Sequence, residues 1–257
     1  MTKRYTIAIT GKGGTGKTTI AALIIKSLIN KGYKPVLAVD ADPNACLDQV
    51  LGVEVKKTVG QIREESRKES TDQTRGISKR ELIEVKITES LIEADHFDLI
   101  AMGRPEGPGC YCYANSLFSD VIKELSRHYP FIVIDNEAGL ENLSRRLFQN
   151  INLLIIVGDP SKQGIQTIKR LYDLAREMGI VYEHLAVVIN RVRYGALPDT
   201  ATAMMKEIKA DYQLSLPFDT ELVIANEKGQ SIQTLSGSNP VLAEISGFIS
   251  QLRLQEK

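Results

Sequence analysis

The residues Gly11-Lys12-Gly13-Gly14-Thr15-Gly16-Lys17-Thr18-Thr19 carry the strongest chemical signal in the chain. They satisfy G-x-x-x-x-G-K-[ST] between a strand-like run and a helix-like run, the context this motif requires. Glycines let backbone N–H groups curl around phosphate oxygens, and the following helix adds its positive N-terminal end. Lys17 is spaced to meet the β- and γ-phosphates of a nucleoside triphosphate, and the Thr18 hydroxyl to sit on Mg²⁺. A turn that merely joined a strand to a helix would need neither side chain.

Two acidic segments can complete such a site. Val36–Val39 runs into Asp40-Ala41-Asp42-Pro43, and Phe131–Ile134 runs into Asp135-Asn136-Glu137-Ala138-Gly139. Each acid sits at the carboxyl end of an apolar strand, where open α/β sheets place their ligands. An aspartate there is often only a turn former; beside a phosphate loop it becomes a candidate for metal and water. On the base side, Val187-Val188-Ile189-Asn190-Arg191 ends a late strand with an amide that can offer both donor and acceptor to an adenine edge. Leu216-Pro217-Phe218-Asp219 follows later in the chain as a turn-like segment.

A different chemistry is written in Gly107-Pro108-Gly109-Cys110-Tyr111-Cys112. In extended backbone, residues i and i+2 point to one side, about 7 Å apart, so both thiols can face one metal ion. Two thiolates do not fill the four positions a thiolate-bound zinc takes. His96, His128 and His184 are scattered, and a two-fold dimer would supply the missing pair by bringing Cys110 and Cys112 of both copies to one axis. Two small buried hydrophobes and a strained local disulfide are the competing readings. The Gly-Pro-Gly lead-in favours an exposed turn with a metal or redox role. Cys46, after Asp42-Pro43-Asn44-Ala45, reads as buried packing within a helix.

These residues need a scaffold, and the pattern supplies one. Strand-like runs at Tyr5–Thr10, Pro35–Val39, Phe97–Ala101, Phe131–Ile134, Leu153–Val157 and Leu185–Ile189 alternate with amphipathic segments. Thr18–Asn30 predicts a helix ended by Gly32. Lys162–Met178 predicts another, capped by Ser161, with Ile165, Ile168, Leu171 and Ala175 on its buried face. Short apolar strands between helices imply an α/β fold whose mostly parallel central sheet carries helices on both faces. No linker divides residues 1–257, so one domain is expected. The charge-rich stretch Lys56–Asp95 reads as solvated surface helices or as a partner-contact surface.

Composition sets the limits. The chain has 257 residues, with 32 Lys+Arg against 32 Asp+Glu, hence no net charge, and 43% hydrophobic residues. A neutral balance argues against a dedicated nucleic-acid binder. No apolar run reaches the ~18 residues that cross a bilayer. Three cysteines and an opening without a secretory pattern point to a reducing, cytoplasmic setting, with no membrane partner.

The second lysine of the loop, Lys12 in KGGTGKT, resembles the deviant Walker A motif of the MinD/ParA/nitrogenase iron protein class of P-loop ATPases. That resemblance implies a P-loop NTPase fold, ATP and Mg²⁺ as ligands, and a nucleotide-sandwich homodimer in which Lys12 reaches the partner's ATP. It also implies that Asp42 orients the attacking water, that Asp40 supports Mg²⁺ through its shell, and that Asp135 holds Mg²⁺ through water. Asn190, Arg191, Pro217 and Phe218 then fall on the adenine side. Together, GKGGTGKTT, DADPNACL, GCYCYANSLF and DNEAGLENLSRR resemble the nickel-insertion ATPases of carbon monoxide dehydrogenase maturation. Membership would imply Ni²⁺ or Zn²⁺ held by Cys110 and Cys112 across the dimer. The client would be carbon monoxide dehydrogenase or acetyl-CoA synthase. Two rival expectations use the same fold: a positioning ATPase acting on membrane or DNA, and an iron–sulfur carrier. The first needs a basic amphipathic C-terminus, whereas Pro240–Leu254 reads as a packing helix.

Overall fold

The computed structural model describes residues 4–69, 81, 85, 90–104, 118–119, 121–144, 150–193, 199–252 and 254. Its strands are β1 (Tyr5–Gly11), β2 (Val36–Ala41), β3 (Ile92–Glu93), β4 (Phe97–Ala101), β5 (Phe131–Asn136), β6 (Ile151–Gly158), β7 (Tyr182–Val192) and β8 (Tyr212–Pro217). They form one sheet in the order β3-β4-β2-β5-β1-β6-β7-β8. Every pairing is parallel except β3 with β4 at the edge. Its α-helices include α1 (Lys17–Asn30), α2 (Leu47–Leu51), α3 (Val59–Glu69), α4 (Glu141–Ser144), α5 (Lys162–Glu177), α6 (Asp199–Glu207), α7 (Thr220–Glu227) and α8 (Pro240–Gln251).

The central strands are buried on both faces, which is why they read as unbroken apolar runs. Alternate residues serve opposite layers. Ile7, Ile9, Val133, Leu153 and Ile155 pack with Ile24, Leu28, Ile245 and Phe248 of α1 and α8. Ala8, Ile134, Leu154 and Ile156 pack with Ile165, Ile168 and Ala175 of α5, and with Met205 of α6. A fully buried Leu or Ile side chain contributes about 1.5–3 kcal/mol, so both layers are held strongly. The expected architecture is the observed one: α/β, a mostly parallel sheet, helices on both faces.

Ser161 caps α5 by accepting from the Gly164 N–H at 3.0 Å, and Ile165, Ile168, Leu171 and Ala175 face inward as their spacing predicts. In α8, Asn239 caps the first turn, while Val241, Leu242, Ile245, Phe248 and Ile249 are buried. No helix among the described residues is long and apolar enough to cross a membrane.

Two strands fall outside the expected runs, and two expectations need correcting. The edge strands β3 and β8 give no strong sequence signal: β3 has two residues, and β8 is only partly covered. The Lys56–Asp95 stretch is not wholly a solvated face, because Val59 and Ile62 of α3 enter the core. Cys46 is exposed, not buried. Ala45 adopts a left-handed φ of 46°, so α2 begins only at Leu47, and the inward position falls to Leu47 instead.

Candidate active site

The carboxyl ends of β1, β2 and β5 converge. Parallel register sets Asp40 of β2 beside Asp135 of β5, and Asp135 beside Ile9 of β1, two residues before the glycine loop. β1 continues into that loop, with β5 on one side and β6 on the other, at the switch point of the strand order.

Sterics explain two of the glycines. A Cβ on Gly11 would lie 2.2 Å from the Val157 carbonyl oxygen, and Gly16 holds a left-handed φ of 92°. Gly16 is also the N-cap of α1, and as a glycine it has no side chain to cap that helix end. The first-turn N–H groups of α1 therefore face the loop as anion donors. Lys17 is buried, 8% exposed, with Nζ 3.4 Å from the Lys12 carbonyl oxygen. The Thr15 hydroxyl donates to the same carbonyl at 2.8 Å. The Lys12 side chain is exposed. Two lysines in one loop thus have opposite placements, one inward and one outward.

Asp40 and Asp135 are each 1% exposed. Asp40 accepts from the Asp42 N–H at 3.1 Å and from the Leu47 N–H at 2.9 Å. Burial, and then the Asp135 charge, push its pKa up to about 7, against the pull of those N–H donors. Burial likewise raises Asp135 to about 6, although a hydrogen bond from Thr18 and the charge of Lys17 act in the opposite direction. Its Oδ1 has no hydrogen-bond partner among the described residues. Two buried acids, an orphaned carboxylate oxygen and a nearby threonine hydroxyl form an oxygen donor set suited to Mg²⁺. Among the described residues no cluster of three or more His, Cys, Asp or Glu forms an all-protein metal cage.

This pair carries a pH signature. The folded state holds these protons more tightly than an unfolded chain with a carboxylate pKa of 3.8. Unfolding therefore releases protons, and the pair's contribution to stability falls as pH rises from 3.8 towards about 7. A cation bound there displaces the same protons, so Mg·ATP stabilises more at the upper end of that window. Melting temperature with and without Mg·ATP should show a gap that widens from about pH 5.5 to about pH 8. A constant or narrowing gap contradicts the assignment.

Asp42 is half-buried just beyond β2, and its Oδ1 accepts from the Asn44 N–H at 2.8 Å and from Asn44 Nδ2 at 3.0 Å. The acidic segment after β5 is tied to the loop: Gly139 N–H donates to the Gly11 carbonyl at 3.2 Å, and Thr10 donates to the Gly139 carbonyl. Sequence reasoning missed Asn142 of α4, which is buried and donates to the Ala41 carbonyl at 2.9 Å. It joins the segments after β2 and β5; in sequence it is one of two polar residues, Glu141-Asn142, between Leu140 and Leu143, which gives no sign that it is buried.

On the base side, Gly16, Thr19, Asn190, Arg191, Pro217 and Phe218 line one open cleft. The four residues assigned there from sequence are thus neighbours. Asn190 Nδ2 donates to the Thr15 carbonyl at 2.9 Å, and its Oδ1 accepts from the Arg191 N–H at 2.9 Å. One amide hydrogen and one lone pair are left over for a base. Arg193, not singled out from sequence, lies over the Phe218 ring at 4.7 Å. Asp219 instead caps α7 through the Leu222 N–H. Cys110 and Cys112 lie outside the described residues.

A family model for the CobQ/CobB/MinD/ParA nucleotide binding domain matches residues 6–232. An uncharacterised ATP-binding protein of Methanocaldococcus jannaschii is 42% identical over 250 residues, covering 96% of this chain and 97% of its own. The carbon monoxide dehydrogenase accessory protein CooC of Rhodospirillum rubrum is 30% identical over 243 residues, covering 90% of each chain. The fold is shared with the septum site-determining protein MinD of Pyrococcus horikoshii, solved with Mg-ADP. The TM-score is 0.68 at 20% identity, over 97% of this chain and 96% of that one. With a phosphate loop, paired acids and a base-side cleft in register, the chain belongs to the CobQ/CobB/MinD/ParA nucleotide-binding family and is a P-loop ATPase.

Proposed function

We propose that this ATPase is a metallochaperone: an ATP-driven homodimer of a single domain, residues 1–257, acting in the cytoplasm. It holds Ni²⁺ or Zn²⁺ between the Cys110 and Cys112 pairs of two copies, and supplies nickel to carbon monoxide dehydrogenase or acetyl-CoA synthase. The observation that carries the reading is the likeness, along 90% of both chains, to a protein named as a carbon monoxide dehydrogenase accessory factor. The Cys-x-Cys pair of this chain supplies the chemistry that such a role requires.

In this scheme the glycine loop, Lys17 and the start of α1 bind the triphosphate. Asp135, Thr18 and, at longer range, Asp40 would hold Mg²⁺, which supplies positive charge on the phosphate oxygens. Asp42 orients the attacking water. Lys12, pointing outward from its own loop, meets the γ-phosphate of the opposite copy only when two copies close, so the charge that assists hydrolysis arrives with the dimer. Closure changes the spacing of the cysteine pairs; loss of the γ-phosphate releases it. Asn190, Arg191, Pro217 and Phe218 seat the adenine.

A membrane- or DNA-acting role draws support from the MinD and ParA relatives. Against it, α8 uses its apolar face for the core. The test is anaerobic metal analysis of the protein together with its molecular mass in Mg·ATP. One metal per two chains supports the chaperone reading, and a metal-free protein with cysteines intact refutes it.

A further inference from the structure

Asn190 and Arg191 line the base cleft, yet their hydrogen bonds go to the phosphate loop. The pairing of β7 with β8 loses register between Ile189 and Val192. Within that irregularity Arg191 takes a left-handed φ of 62°, which a bulky residue adopts only at a cost. The distortion turns two successive side chains towards the loop. Asn190, 9% exposed, donates from Nδ2 to the Thr15 carbonyl at 2.9 Å. Arg191 donates from Nη1 to the Gly14 carbonyl at 3.1 Å. The Arg191 N–H closes the arrangement by donating to Asn190 Oδ1 at 2.9 Å.

Peptide planarity gives these bonds a consequence. In a trans peptide the C=O and the following N–H point in opposite directions. Drawing the Thr15 oxygen outward aims the Gly16 N–H inward, and drawing the Gly14 oxygen outward does the same for the Thr15 N–H. That second N–H donates across the loop to the Lys12 carbonyl oxygen at 3.4 Å, a long bond that a phosphate oxygen would replace. Donors held in place before the ligand arrives cost no reorganisation on binding. Gly16 fits the same scheme, since a Cβ there would lie 2.5 Å from Asn190 Nδ2.

We propose that Asn190 and Arg191 form a clasp that presets the phosphate loop, so that they are positioning residues for the triphosphate in addition to neighbours of the base.

The two roles separate when the ligand has no base. Mg²⁺-dependent binding of ATP and of inorganic tripolyphosphate is measured by calorimetry for the native chain, Asn190→Ala, Arg191→Gly and Arg191→Lys. Native binding of both ligands is the control for the phosphate loop itself. Glycine adopts the left-handed conformation freely, so Arg191→Gly removes the guanidinium without adding backbone strain. The clasp predicts that Asn190→Ala and Arg191→Gly weaken both ligands by similar factors, about tenfold for each lost hydrogen bond. Arg191→Lys, whose ammonium can still donate to the Gly14 carbonyl, recovers part of the loss. Three results would overturn it. ATP alone could weaken, which would assign both residues to the base; neither ligand could weaken; or the ligand-free variants could lose circular dichroism signal and melt early, which would make the pair structural.

Discussion

The Lys12→Gln variant should bind Mg·ATP with near-native affinity yet hydrolyse it about 100-fold more slowly or worse. The size follows from removing one charge donor aimed at a transition-state oxygen. The placement follows from the loop itself: Lys17 is buried inside, whereas the Lys12 side chain is exposed. A lysine facing solvent contributes little to binding by its own chain, so ground-state affinity is spared. In the proposed dimer it matters once a second copy brings a γ-phosphate to it. Single-turnover hydrolysis beside equilibrium binding separates the two effects. Normal hydrolysis by Lys12→Gln refutes a lysine supplied in trans, and loss of binding in step with hydrolysis makes Lys12 an ordinary ligand of its own loop.

The second large effect has opposite signs for stability and for activity. Asp135→Asn removes a buried charge whose Oδ1 has no hydrogen-bond partner among the described residues and which lies level with a second buried acid. The Mg-free fold should become more stable, by about 2–4 °C in melting temperature for each kcal/mol relieved in a domain of this size. Asparagine can still accept from Thr18. It no longer offers a negative oxygen to a divalent ion, so Mg²⁺-dependent hydrolysis should fall by about 100-fold or more. A site that stores unfavourable charge for function is expected to trade in this way. Lower stability with activity retained would mean that Asp135 is only a structural acid.

Most of the scaffold was legible because buried parallel strands are long apolar runs with a local signature, and the phosphate loop is contiguous. The aspartates after β2 and β5 were found for the same reason, each ending such a run. What escaped depends on distant contacts. β3 and β8 are edge strands whose pairing decides their conformation, and α3 turns Val59 and Ile62 inward only because a sheet face waits for them. Cys46 was misplaced because nothing in Asn44-Ala45-Cys46 announces the left-handed Ala45 that delays the helix. Asn190 and Arg191 were recognised as site residues from their place after β7. Their bonds to Gly14 and Thr15 span more than 170 residues of sequence and leave no local trace.

The central claim is that two copies close on each other and share one metal ion. Its most direct measurement is anaerobic light scattering after gel filtration, with metal counted in the same peak, for protein given Ni²⁺ or Zn²⁺ with and without Mg·ATP. The account predicts a shift to twice the chain mass in Mg·ATP, with one ion per pair of chains. A single chain in saturating Mg·ATP that carries its own ion would contradict it.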